Sequence, residues 1–220
     1  MSYFKSRRSA VVARNGSVAT SQPLAAQAGL QILRDGGNAI DAAVATAAVL
    51  NVVEPMSTGI GGDMFALIWD KNERKVVSLN GSGRQAAAAN VADVRKAGYE
   101  SIQNSGEGSQ FAVSVPGTVH GWETVLNQYG RMTLREVLKP AIDYALNGFP
   151  VSEVIAHFWS SEDTITKLNH RPSGREMLPG SAKNGGPKYG EIVKLPELGR
   201  TLQAIAEGGS EPFYKGEIAK

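Results

Sequence analysis

The chain has 220 residues, of which 42% are hydrophobic, enough to bury a core, and 23 basic and 21 acidic residues leave a net charge of +2. Because no basic stripe stands out along the chain, nucleic acid is not an expected partner. The absence of cysteine excludes disulfides, thiol nucleophiles and cysteine-bound metals, and it fits a cytoplasmic protein. We expect one domain, or most of one.

The N-terminal end is predicted to lie outside the folded part. Residues 1–10 include a small basic cluster and are predicted to form a flexible tail, with the domain over residues 11–220. Arg14 and Asn15 interrupt the apolar residues that follow, so a secretory signal is not expected. The longest apolar stretch, residues 39–53, falls short of the roughly 20 residues that span a bilayer. We therefore predict no membrane contact.

The first elements are predicted from turn and cap residues. Residues 11–20 suggest a short hairpin or a bent edge strand. A helix should follow, with Ser21 as its N-cap and Pro23 in its first turn. Gly36 and the next glycine should end this helix in the left-handed cap position.

Capping residues also predict later helices. Asn38 can cap a second helix, with Asp41 in its first turn, and the many alanines of this helix indicate a central, buried position. Thr133 and Glu136 form a capping box before a third apolar helical face. Pro140 should kink or split that helix.

The clearest local pattern is a hairpin. Residues 64–69 and 75–79 are two apolar runs separated by a polar turn. Antiparallel pairing would bring the ends of the two strands together, so we expect residues 59–62 to meet residues 81–84 in space. Two glycine-rich loops that meet in this way can form a binding site.

Less regular segments complete the chain. Residues 111–115 are predicted as a third strand, residues 119–129 as a helix, and residues 160–190 as a long surface excursion without periodicity. A last helix should precede Gly208 and Gly209, after which the chain begins a new motif and stops in what is expected to be the middle of an element.

A series of short motifs accompanies these elements. Its members are Gly36-Gly37-Asn38-Ala39-Ile40-Asp41-Ala42-Ala43, Gly59-Ile60-Gly61-Gly62-Asp63, Gly81-Ser82-Gly83-Arg84, Val115-Pro116-Gly117-Thr118-Val119-His120-Gly121, Pro140-Ala141-Ile142 and Pro212-Phe213-Tyr214-Lys215-Gly216. Together they resemble the large-subunit half of the gamma-glutamyltransferases, which are N-terminal-nucleophile hydrolases. The resemblance covers nearly everything after Val11. It implies an α+β fold, the large-subunit part of a four-layer αββα sandwich, so residues 11–220 would be an incomplete domain of this type.

Arg84 is the residue to which the resemblance gives a substrate-binding role. A guanidinium can hold a carboxylate through two parallel charge-assisted hydrogen bonds. In the resembling family, an arginine at this position binds the α-carboxylate of the γ-glutamyl group. The alternative is a solvated arginine after a turn. Gln85-Ala86-Ala87 departs from the acidic residue and Ala-Pro of classical members. The preceding Gly81-Ser82-Gly83-Arg84 is more similar to the family's divergent branch, which includes acylases acting on other amides.

The other candidates are expected to be structural. Residues 59–62 could bind an anion through their amides, but packing against the catalytic centre is favoured. Asp63 is also interpreted as structural, because classical members usually have a small residue there. The three histidines are His120, His157 and His170, and no two of them are spaced as metal ligands. None lies next to a Gly-x-Ser-x-Gly nucleophile elbow. His120 is expected to pack or to cap. No cofactor and no metal are predicted.

The resemblance also implies a mechanism and partners. A precursor cleaves itself and frees an N-terminal threonine, whose α-amine acts as the base toward its own hydroxyl. The hydroxyl attacks a γ-glutamyl amide, and the acyl group passes to water or to an acceptor amine. The chain has no Thr-Thr pair of the family's type, so the nucleophile is expected beyond residue 220, in a small subunit from the same precursor. The implied substrate is a γ-glutamyl small molecule such as glutathione, and a homodimer of processed heterodimers is compatible with this scheme.

Two alternative functions remain open. The first is an acylase of the same family that acts on a different acyl amide. The second is a truncated, non-catalytic binding module, which is disfavoured because an unpaired sheet edge would be exposed where the small subunit should dock.

Overall fold

The computed structural model describes residues 9–102, 108–170, 172–178 and 185–220. Its helices and strands, in chain order, are α1 (Pro23–Arg34), α2 (Ala39–Val53), β1 (Met64–Asp70), β2 (Lys75–Gly81), α3 (Val91–Lys96), α4 (Thr118–Tyr129), α5 (Leu134–Asn147), β3 (Phe149–Pro150), α6 (Glu153–Trp159), α7 (Glu162–Asn169), β4 (Ile192–Val193), α8 (Pro196–Gly208) and α9 (Glu211–Tyr214). Most of the predicted tail lies outside the described residues, so its flexibility stays a prediction.

The first helix begins one residue later than predicted. Gln22, not Ser21, is the N-cap of α1, and its Oε1 accepts hydrogen bonds from the amides of Leu24 at 2.5 Å and Ala25 at 3.4 Å. Pro23 occupies the first turn as expected. The prediction for the end of the helix is confirmed, since Gly36 has the left-handed φ of 98°.

Helix α2 forms the centre of the core. As predicted, Asn38 is the N-cap of α2 and Asp41 lies in its first turn; the two side chains also form a reciprocal capping box that was not predicted. The carboxylate of Asp41, which is fully buried, also accepts hydrogen bonds from the amides of Arg131 at 3.0 Å and Met132 at 3.2 Å. Helices α1 and α5 pack on α2, and α8 packs on α5. The many small side chains of α2 permit this close approach of several helices, and its central position is confirmed.

The predicted hairpin is confirmed and places the candidate site. Strands β1 and β2 are antiparallel, with Met64 opposite Gly81 and Asp70 opposite Lys75. One face of this hairpin lies against α4 and the core. The outer face is exposed, with apolar side chains from both strands: Phe65, Leu67, Trp69 and Val76. Among the described residues the only other strand pair is β3 with β4.

Helix α5 shows that packing can override a local signal. Its capping box at Thr133 and Glu136 is confirmed. Of the two effects predicted for Pro140, the split is wrong, because α5 runs unbroken from Leu134 to Asn147, whereas the kink stays a prediction. Leu138 and Ala141, on either side of the proline, are fully buried. Burial of this apolar face against α2 and α8 offsets the loss of one helical hydrogen bond.

Three further predictions are corrected. Residues 11–20 form no strand, because neither side of the turn at residues 14–15 pairs with the other. Val18 instead packs against the helical core. Residues 111–115 form no third strand, since a 3-10 turn over Ser109–Ala112 is followed only by an isolated bridge from Ser114 to Gln85. Residues 160–190 are not structureless, because Ser161 caps helix α7, although residues 171 and 179–184 lie outside the described part.

Candidate functional site

The end of the hairpin presents a loop that carries Arg84. The two glycine segments meet as the sequence predicted: Met64 pairs with Gly81, and the amide of Gly83 donates a hydrogen bond to Asp63 Oδ1 at 2.7 Å. The carboxylate thus joins the entry to β1 and the exit from β2. This contact confirms a structural role for Asp63 and fixes the backbone immediately before Arg84.

A second segment, residues 115–117, lies against this loop; we call it the strap. The amide of Val115 donates to the carbonyl of Arg84 at 2.8 Å, and the amide of Gly117 donates to the carbonyl of Gly62 at 2.9 Å. A Cβ atom on Gly83 would overlap the Val115 carbonyl oxygen. Only glycine therefore permits the backbones to approach this closely.

Gly117 is under the same constraint from the opposite side. A Cβ atom there would overlap the Gly81 carbonyl oxygen. At Gly59 and Gly61, by contrast, an added Cβ would meet nothing within 4 Å. Within the described part of the chain, the tight contacts of the site are therefore made by Gly83 and Gly117. Packing of residues 59–62 against the catalytic centre stays a prediction.

The third wall comes from the C-terminal part of the chain. The hydroxyl of Tyr214, at the end of α9, donates to the carbonyl of Pro116 at 2.6 Å and accepts from the amide of His120 at 3.2 Å. A second link joins the amide of Ser210 to Glu123 Oε1 at 3.2 Å. Burial raises the pKa of Tyr214, while the His120 amide lowers it and the charge of Glu123 raises it. The phenol therefore remains a neutral donor at physiological pH.

These three segments line an open cavity of about 490 Å³. Its lining includes five titratable side chains: Arg84, His120, Glu211, Tyr214 and Lys215. The ammonium of Lys215 lies 3.2 Å from Glu211 Oε2, so these two charges compensate one another. Across the part of the chain that the structure describes, the Arg84 guanidinium has no ion pair and no hydrogen bond. The cavity therefore offers one uncompensated cation, which suits an anionic group of a small molecule.

A larger cavity, of about 640 Å³, lies between residues 15–20 and helix α2. The described residues that line it include no titratable side chain, so it lacks groups for acid, base or ionic chemistry. In the described ranges, no cluster of three His, Asp or Glu side chains is arranged to hold a metal ion. The helices within these ranges also include none that is both long and apolar enough to cross a membrane.

Sequence reasoning found Arg84 but missed part of its surroundings. His120 does not pack as predicted: its side chain is exposed and lines the cavity, because the turn at the start of α4 points it outward. Tyr214 was not singled out, although the motif from Pro212 to Gly216 marked its neighbourhood. Its partners are 94 and 98 residues away along the chain, a distance at which local patterns carry no signal.

Comparison with known proteins agrees with this architecture. The family model described as gamma-glutamyltranspeptidase matches residues 25–220. The glutathione hydrolase-like YwrD proenzyme of Bacillus subtilis is 42% identical over 212 residues, which are 96% of this chain and 38% of that protein.

Two solved structures are also similar. A cephalosporin acylase from Bacillus halodurans matches with a TM-score of 0.86 and 43% identity, over 99% of this chain and 40% of that one. The gamma-glutamyltranspeptidase of Helicobacter pylori matches with a TM-score of 0.85 and 30% identity, over 96% of this chain and 59% of that one.

The fold is therefore α+β and corresponds to the large-subunit part of an N-terminal-nucleophile hydrolase, as the sequence predicted. With a family model that matches most of its length, the chain belongs to the gamma-glutamyltranspeptidase family of enzymes. It spans about two fifths of the length of the YwrD proenzyme and of the acylase structure.

Proposed function

We propose that this chain is the large-subunit portion of a γ-glutamyltransferase or glutathione hydrolase, and that Arg84 binds the α-carboxylate of the γ-glutamyl substrate. The observation that carries the proposal is the uncompensated guanidinium at the cavity formed by residues 81–84, the strap and α9. A γ-glutamyl amide has one carboxylate at its far end, which fits a single cation. Glutathione is a small molecule of this class.

The surroundings of Arg84 support this role. The backbone on either side is fixed, since the Gly83 amide is bound to Asp63 and the Arg84 carbonyl to Val115. A fixed backbone leaves the guanidinium a restricted volume in which to bind a planar anion. The guanidinium would bind the substrate carboxylate through two parallel hydrogen bonds, which fix the orientation of the substrate in addition to the charge attraction.

In the proposed reaction, the threonine nucleophile comes from the small subunit, in the remainder of the same precursor. Its hydroxyl gives a proton to its own α-amine as the oxygen attacks the amide carbon, and the amine then passes a proton to the leaving nitrogen. An acyl ester remains, which water or an acceptor amine resolves. Arg84 takes no part in proton transfer; it holds the scissile amide in place, and such orientation is worth several kcal/mol of barrier.

Processing of the precursor has a direct test. The intact mass and N-terminal sequence of the products from the complete reading frame should show two fragments, the smaller one beginning with threonine. The word proenzyme in the name of the Bacillus subtilis relative supports this expectation. A single unprocessed product that still hydrolyses γ-glutamyl amides would contradict the proposed mechanism. We further propose a cytoplasmic location and a homodimer of processed heterodimers, to be checked by fractionation and light scattering.

The role of Arg84 is tested with three anilides in the complete protein. γ-Glutamyl and glutaryl anilides both carry the distal carboxylate, whereas 4-aminobutyryl anilide lacks it and retains the amine. Arg84→Gln should lower kcat/KM roughly 100-fold for the first two substrates, because a charge-assisted pair is lost, and should leave the third nearly unchanged. Arg84→Lys should be intermediate, since the charge remains without the fork.

The control is Arg34→Gln, which removes an exposed arginine from the last turn of α1 and should leave all three rates unchanged. Equal losses for the three anilides in Arg84→Gln would show that the residue only maintains structure. Unchanged rates for all three anilides in Arg84→Gln would show that Arg84 does not bind the substrate.

An acylase of the same family is the second candidate. The 43% identity to the Bacillus halodurans cephalosporin acylase favours it, as does Gln85-Ala86-Ala87 after the arginine. Faster turnover of glutaryl than of γ-glutamyl anilide by the unmodified protein would select this alternative, because the two substrates differ only in the α-amine.

A further inference from the structure

Tyr214 makes contacts that the proposed function does not use. Its hydroxyl is the one side-chain group in the described residues that bonds both to the strap, at the Pro116 carbonyl, and to helix α4, at the His120 amide. The first amides of a helix have no partner within the helix and need one elsewhere. Helix α4 has Gly117 at its N-cap and therefore no capping side chain. The Tyr214 hydroxyl caps this helix from 94 residues away.

The capped turn is coupled directly to the loop that carries Arg84. The amides of Gly117 and Thr118 both donate to the carbonyl of Gly62, at 2.9 and 3.1 Å, and the Thr118 hydroxyl donates to the same oxygen at 2.8 Å. Just before them, Val115 bonds to the carbonyl of Arg84. Because Gly83 and Gly117 leave no space at these contacts, a displacement of the strap must move the loop.

We propose that Tyr214 is a positioning residue: by holding the strap and the start of α4, its hydroxyl fixes the backbone of Arg84 and so the direction of the guanidinium. This inference rests on the proposed role of Arg84. The motif that contains Tyr214 would then control recognition of the substrate carboxylate, although it contributes no charge to the ion pair between Arg84 and that carboxylate.

The test is Tyr214→Phe in the complete protein, with the three anilides named above. Removal of the hydroxyl leaves the half-buried Pro116 carbonyl and the His120 amide without this partner, and it leaves the ring in place. We expect KM to rise about fivefold for γ-glutamyl and glutaryl anilides, with a smaller change in kcat and little change for 4-aminobutyryl anilide. In an Arg84→Gln background, Tyr214→Phe should have no further effect, because the group it positions is absent.

The matched control is Tyr144→Phe. Tyr144 on α5 is buried to a similar degree, and its hydroxyl makes no hydrogen bond within the described ranges. This variant should leave the kinetics unchanged. Hydrogen exchange provides an independent readout: peptides from residues 81–85 and 113–121 should exchange faster in Tyr214→Phe and not in Tyr144→Phe.

If Tyr214→Phe fails to fold, Gly83→Ala breaks the same coupling from the other side of the strap and should give the same selective rise in KM. A selective effect of Arg84→Gln combined with equal effects of Tyr214→Phe on all three anilides would overturn the positioning role alone. Additive losses in the double variant would do the same. No effect of Arg84→Gln would overturn the proposed function, and the positioning role with it.

Discussion

The carboxylate of Asp63 holds the amide of Gly83 at 2.7 Å and so joins the two ends of the β1 and β2 hairpin next to Arg84. Asp63 contributes both an acceptor and a negative charge. The acceptor fixes the loop, whereas the charge opposes an anionic substrate. The two contributions can be separated by substitution.

Asp63→Ala removes the acceptor and should lower kcat/KM for γ-glutamyl anilide about three- to tenfold, the value of one hydrogen bond. Asp63→Asn keeps the Oδ1 acceptor without the charge and should match or exceed the unmodified protein. Asp143→Ala, which removes an exposed carboxylate from α5, serves as the control. Equal losses in Asp63→Asn and Asp63→Ala would show that the charge, not the hydrogen bond, is what the loop requires.

Substitution by alanine should affect stability differently at Gly117 and at Gly59. Gly117→Ala places a methyl group against the Gly81 carbonyl and should lower the free energy of unfolding by about 1–3 kcal/mol, as overpacking does. At Gly59 the added methyl group meets no neighbour within 4 Å and the backbone conformation is one that alanine accepts. Gly59→Ala should therefore change the free energy of unfolding by less than about 0.5 kcal/mol. Urea titration of the complete protein measures both. Equal midpoints for the two variants would contradict the close approach of the strap to the loop.

The sequence predicted features whose causes are local. The Asn38 cap of α2 and the Thr133 and Glu136 capping box of α5 each depend on residues at most three positions apart, and the hairpin follows from two apolar runs on either side of a polar turn. Arg84 was selected through its motif, and its binding role stays a prediction. The contacts that complete the site were not predictable in this way, because the strap and Tyr214 reach the loop only after the chain has folded. The predicted split of α5 at Pro140 is wrong for a related reason, because the burial that keeps this helix continuous is a tertiary effect.

Acid should weaken helix α5 through its capping box. Two hydrogen bonds from Thr133, one from its hydroxyl at 2.6 Å and one from its amide at 2.7 Å, lower the pKa of Glu136. A carboxyl with a depressed folded-state pKa stabilises the fold above its unfolded pKa, and this contribution is lost as the pH falls through the folded value. Stability should therefore decline below about pH 5.

The contribution of Glu136 is isolated with Glu136→Gln, whose amide does not titrate. Between pH 6 and 3 the Tm of this variant should fall less than that of the unmodified protein, although it starts lower. Glu153→Gln changes a first-turn glutamate of α6 whose side chain accepts no hydrogen bond among the described residues, so it should retain the full decline. Parallel curves for all three proteins would exclude the capping box as a source of acid sensitivity.

The outer face of the hairpin is predicted to be the surface that the small subunit covers. Leu67 is 80% exposed and Trp69 61%, next to Phe65 and Val76 on the same face. An apolar sheet face with unpaired edges promotes association. The isolated 220-residue chain should therefore aggregate, and Leu67→Lys should increase its monomeric fraction by introducing a charge at the centre of that face.

In the complete protein the same substitution should have the opposite consequence, because it buries a lysine at the subunit contact and so lowers assembly and activity. Val12→Lys is the matched control, since Val12 is 93% exposed and lies in a segment outside the hairpin. Size-exclusion chromatography with light scattering measures both forms. A monodisperse isolated chain, together with normal assembly of the Leu67→Lys protein, would show that this face remains in contact with solvent and that the small subunit docks elsewhere.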